Sequence, residues 1–231
     1  MHPIIYKFIR ISAIMLMGLT VAFTLLGGIG STCAAFLTEN FAAMSPLLPL
    51  KWLYQLLVIV SVATGLWGIR TLAGLVKGKT WAYRETLLVL ILGGLTALIQ
   101  IIASRSLRGA SMPTDVRLYI TLLTLIIFLI LRLPGIWENM NFYHQKGNTT
   151  DIAGGLVAIS LGLMILTVHL WAGPSHTFDG FNYANVWSLP LTAAGLALTT
   201  SGAALIAKST PQVSYVETPV IPNQPETSGS F

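Results

Sequence analysis

The side chains best suited to chemistry are His169, His176 and Asp179, close together in the last third of this 231-residue chain. An imidazole inside a membrane can ligate haem iron, shuttle a proton or hydrogen-bond a quinone. His169 is the only histidine within a long apolar run, near the end of that run. A haem with two axial histidines needs a second one at matching depth on another helix, and His176 supplies it only if its loop folds back. A simpler reading makes His169 a hydrogen-bonded residue at the membrane interface. As a metal site the trio is weak: three ligands on an aromatic loop, with no His-Glu-x-x-His pattern anywhere. The sequence therefore predicts no resident cofactor and no metal, with His169 and His176 as the residues to watch should haem or quinone bind.

His176 and Asp179 belong to a polar, aromatic stretch from Trp171 to Pro190 that also holds Asn182, Asn185, Phe178, Phe181, Tyr183 and Trp187, and no Lys or Arg. Such a stretch suits the interfacial belt and contact with another protein. Phe178, Asp179, Phe181, Tyr183 and Trp187 are the expected partner-binding residues. A second expected patch is basic, with Gln100, Ser104, Arg105, Arg108 and Arg117 on one membrane face, where Arg105 and Arg108 would meet an acidic partner or a lipid headgroup.

Composition sets the class. Apolar residues make up 54% and charged residues 9% of the chain, against about 25% charged in soluble proteins, so no water-soluble surface can be built. The 13 basic residues outnumber 8 acidic ones, an excess that in a polytopic protein marks loops facing anionic lipid rather than nucleic acid. The single cysteine, Cys33, rules out an internal disulfide, CxxC redox chemistry and iron–sulfur clusters. No protease or dinucleotide motif occurs, and the chain reads as a protein without catalysis.

Six segments are long enough to cross about 30 Å of hydrocarbon: Phe8 to Gly30, Trp52 to Val76, Thr86 to Ser104, Val116 to Ile136, Ile152 to Trp171 and Val186 to Ala207. Backbone that faces lipid must satisfy its own hydrogen bonds, so all six are expected to be helices. The first follows Lys7 and Arg10 as a secretory signal would, but its apolar run exceeds the usual 7–15 residues. It is expected to remain as a span. Placing both termini in the cytoplasm gathers nine of the 13 basic residues on that side, as the positive-inside rule demands. The expected fold is thus all-α and polytopic, with residues 1–208 as the transmembrane domain and 209–231 as a proline-rich extended cytoplasmic tail.

Small residues at four-residue spacing (Thr20, Thr24, Gly28; Gly74, Gly78; Gly154, Ala158, Gly162; Gly195, Thr199, Ala203, Ala207) allow close helix approach, above all between the fifth and sixth spans. Arg70 is placed to reach Glu85, and Arg132 to reach Glu138. No acidic or basic residue is expected near the bilayer midplane, which counts against ion pumps. The leading expectation is a non-catalytic subunit or interaction protein of a larger complex, respiratory or photosynthetic, in a bacterial cytoplasmic membrane, with other membrane subunits and lipid as partners. A small-molecule or lipid transporter, with Thr96, Gln100, Thr121 and Thr124 along its path, and a redox subunit using His169 are the alternatives.

Overall fold

Long runs of Leu, Ile, Val and Ala broken by little but Gly and Thr leave the backbone one way to pair its polar groups without water, the helix. In a computed structural model, which describes residues 3–40, 42–111, 113–134, 136, 148–171, 177–178 and 181–209, these runs become helices. They are α1 (Pro3–Gly30), α2 (Thr32–Phe36), α3 (Lys51–Val76), α4 (Ala82–Arg108), α5 (Thr114–Leu131), α6 (Asn148–Leu166), α7 (Val168–Trp171), α8 (Tyr183–Val186) and α9 (Ser188–Ser209). Two 3-10 segments, Thr38–Asn40 and Ala42–Leu50, lead into α3, the second bent by Pro46 and Pro49. Among the described residues five stretches are long and apolar enough to cross a membrane: Ile5–Phe36, Met44–Val76, Ala82–Arg108, Thr114–Leu131 and Ser188–Ser209. The protein is a multi-pass, helical one by this measure.

The expected fifth span differs in detail. Its apolar part, Asp151–Leu166, falls short of the other five, because Thr167 interrupts the run. The Thr167 hydroxyl donates to the carbonyl of Leu163 at 2.8 Å, a back-bond that competes with the helix ladder and bends it. His169 therefore sits on the separate turn α7 and is exposed. At the other end the helix starts at Asn148, ahead of the expected Ile152, so Asp151 lies inside its first turn. The sixth span begins at Ser188, ahead of the expected loop end at Pro190; a proline costs nothing in a first turn, whose N–H groups have no helical partner.

Four helices, α1, α3, α4 and α5, form a bundle of antiparallel neighbours. Gly28, Leu25 and Val21 of α1 meet Ser61, Gly65 and Gly68 of α3 in reverse order. Tyr54 of α3 bonds Ser104 of α4 at 2.6 Å, while Tyr83 of α4 donates to the carbonyl of Phe128 of α5 at 3.1 Å. Thr20 of α1 and Thr124 of α5 close the ring at 2.8 Å. The connections are short: Gly78 and Gly109 take positive φ, and Gly109 ends α4 by donating its N–H to the Arg105 carbonyl, the left-handed cap that glycine adopts without strain.

A second unit, the α6–α9 pair, rests on α1 through Val157, which packs on Gly18. Its helices approach so closely that a methyl on Gly155 would lie 2.6 Å from Ile206, and one on Gly202 2.5 Å from the Gly155 carbonyl. Gly162 likewise abuts Gly195 and Thr199. The mutual packing of these two spans is as expected, but the face is carried by Gly155 and Gly162, with nothing near Gly154. Ala203 and Ala207 point outward.

Candidate functional site

The bundle interior is layered. At the end carrying the start of α1, an apolar cluster contains Ile14, Met17, Leu75, Leu90 and Phe128. At the opposite end a second cluster contains Ala35, Leu47, Tyr54, Val58 and Ala103. Between them lie Thr20, Thr24, Ser61, Thr64, Thr96, Gln100, Arg117, Thr121 and Thr124, all buried. Meanwhile Phe8, Trp52, Ile59, Leu66, Ile102 and Tyr119 face outward. Apolar outside and polar at mid-depth inside reverses the pattern of a water-soluble bundle and suits helices that face lipid.

Arg117 is the centre of this layer. It starts from the first turn of α5 and is only 2% exposed. Its Nη2 donates to Thr96 Oγ1 at 2.8 Å, to Ser61 Oγ at 3.1 Å and more weakly to the Gly93 carbonyl at 3.4 Å. Gly27 of α1 leaves room for the arginine stem, since a methyl there would lie 3.3 Å from Cδ. The guanidinium thus touches all four helices of the bundle. Thr96 stands near the middle of the 27-residue α4, so this charge lies deep between the two ends.

That geometry corrects two expectations. Arg117 does not join a basic surface patch, and a charge does sit deep between the two ends of the bundle. The side chain extends inward because its neighbours on three other helices are Gly and small hydroxyl residues, which offer space and acceptors. Gln100 and Ser104 also leave the expected patch for the interior: the Gln100 amide donates to Ser31 Oγ at 2.7 Å, and Ser104 pairs with Tyr54. Arg10, expected among the basic residues of the first terminus, is buried as well, at 1% exposure.

Arg105 and Arg108 remain at the surface, where Arg105 ties α4 to α5. It donates to Ser111 Oγ and to Asp115 Oδ1, both at 2.9 Å, and Ser111 donates to the other carboxylate oxygen at 2.6 Å. Arg108 reaches Met44 Sδ at 3.4 Å. The expected Arg70–Glu85 pair is present at 3.2 Å, with the Trp67 indole donating to the same carboxylate at 2.9 Å and Arg70 lying over the Trp81 ring. Glu138 lies outside the described residues; Arg132 stacks over Tyr83.

In the aromatic stretch, Thr177–Phe178 and Phe181–Asn182 pair as antiparallel strands with Phe178 opposite Phe181. Tyr183 opens α8, and Trp187 is 65% exposed. His176 and Asp179 lie outside the described residues, as does the tail from residue 210. Cys33 is a free, half-buried thiol on α2.

Sequence reasoning named Thr96, Gln100, Thr121 and Thr124 along a path, but put Arg117 in a surface patch. The available signal was spacing: Arg117 precedes Thr121 by one helical turn and Thr124 by two, which puts all three on one face of α5. Comparison with protein-family models, curated proteins and solved structures finds no match.

Proposed function

We propose that this chain is a multi-pass membrane carrier that binds a small solute in the polar layer around Arg117. The observation that carries the reading is a buried arginine held by Ser61, Thr96 and Gly93 at the middle of a bundle whose two ends are closed by apolar clusters. Burying a charge is expensive unless something uses it. Apolar closure on both sides of a polar site is what a carrier needs when its solute is occluded. This reading replaces the subunit expectation as the leading one, since that expectation leaned on the absence of a deep charge.

Six crossings with both termini inside, in a cell membrane, complete the proposal. The sixth crossing is α6: it runs antiparallel along α9 from Gly155–Gly202 to Gly162–Gly195, and its 19 residues measure about 28 Å. One feature favours the subunit reading beside it. Ala193, Ala197, Ser201 and Ala204 form an exposed small-residue stripe on α9, a face on which another helix packs closely. Co-purification of a stoichiometric partner in mild detergent, lost when Ala197 and Ser201 become Leu, is the result that reading requires.

The carrier reading is tested by thiol accessibility. In a Cys33→Ser background within native membranes, Thr64→Cys and Thr96→Cys react with small, charged, water-borne thiol reagents, while Met17→Cys and Leu90→Cys in the apolar cluster do not. Silence at Thr64 and Thr96 from both sides of the membrane defeats it.

A further inference from the structure

Resting on the carrier reading, we infer that the solute site takes a compact anion, held on the unused N–H groups of Arg117 with the Thr64 hydroxyl as a further donor. Of the five guanidinium hydrogens, only those on Nη2 meet acceptors; Nε and Nη1 are buried with no hydrogen-bond partner. Thr64 Oγ1 is the other orphan of the layer, one helical turn beyond Ser61 on the same face of α3. Every partner of Arg117 is a neutral oxygen. Three acidic groups of the described residues are committed elsewhere: Asp115 to Arg105 and Ser111, Glu85 to Arg70 and Trp67, Glu39 to Lys51. A buried cation with donors to spare and no carboxylate bonded to it among the described residues is complementary to an anion brought from outside.

The packing sets the size. A methyl on Gly28, Gly65 or Gly68 would collide with α1 or α3 neighbours at 2.7–2.9 Å. At Gly93 the same methyl would stand 3.6 Å from Thr24 Oγ1 and 4.0 Å from Thr64 Cγ2, and at Gly94 3.7 Å from Thr121. Next to Gly93, whose carbonyl accepts from Arg117, there is therefore room for a methyl-sized group bordered by threonines. Chloride and formate are of that size, and a sugar acid is larger.

The test is thermal unfolding of the purified full-length protein in a nonionic detergent, with sodium formate or chloride replacing sodium gluconate at fixed ionic strength. Formate or chloride should raise the midpoint saturably by about 5 °C. Arg117→Met should abolish the rise. Thr64→Val, a gentler change that keeps the test alive if the first variant does not fold, should raise the half-saturating concentration about tenfold. No rise in the wild-type protein, or an equal rise with equal half-saturation in wild type and Thr64→Val, overturns the inference. Thiol access at Thr64 without anion stabilisation would sink the anion and leave the carrier, whereas stabilisation without access would make the anion a structural one and sink the carrier.

Discussion

Arg117 of α5 donates to Ser61 of α3 across the diagonal of the four-helix bundle, at 3.1 Å. Diagonal helices are not neighbours in the ring, so a long side chain from one must cross the axis to reach the other. Most consequences for stability and function follow from what that crossing costs and what it offers.

Removing the charge should not harm the fold. A buried ion without an opposite partner is a net liability, and exchanging such groups for apolar ones of similar size is commonly neutral or stabilising by about 1–4 kcal/mol. Arg117→Met is expected to unfold, in gluconate, at or above the wild-type temperature. A large loss would mean that the arginine's bonds to Ser61, Thr96 and Gly93 hold the bundle together.

The glycines of α6 give a sharper contrast. Gly155→Leu should destabilise by about 1–3 kcal/mol or prevent folding, because overpacking forces the helices apart. Gly154→Ala, with nothing within 4 Å of the new methyl, should be neutral or slightly stabilising through the unfolded chain. Thermal midpoints and gel-filtration profiles in detergent separate the two, and equal behaviour would contradict the packing of α6 on α9.

Adjacent glycines with opposite roles show where sequence reading stops. Hydropathy and length were enough to place the long helices, since each depends only on local composition. Which side of a helix faces inward was harder, because lipid and a protein interior are equally apolar and the usual polar face is missing. Small-residue spacing therefore pointed to α6 meeting α9, yet chose Gly154 over Gly155. Arg117 was misplaced on similar grounds: counted along α5 it stands in the first turn, and only the positions of Ser61 and Thr96 on other helices show that its side chain turns toward the middle.

The link between α4 and α5 makes a smaller prediction. Asp115→Asn weakens the bonds to Arg105 and Ser111, and the expected cost is about 1 kcal/mol, modest because Arg105 is largely solvent-exposed. Raising the salt concentration should narrow the difference between variant and wild type.

Topology can be read from labelled cysteines. With Cys33 replaced by Ser, Lys7→Cys and Lys208→Cys, both at exposed positions, should both react with an impermeant reagent only after the cytoplasmic face is opened. Opposite sidedness would leave an odd number of crossings and remove α6 from the spans.

Anion flux in vesicles bears most directly on the carrier. Protein reconstituted into liposomes around a dye quenched by the anion should dissipate a formate or chloride gradient well above the rate of protein-free vesicles, and the Arg117→Met protein should match the protein-free rate. Wild-type vesicles that leak no faster than empty ones, from a preparation that formate or chloride stabilises against heat, would contradict it.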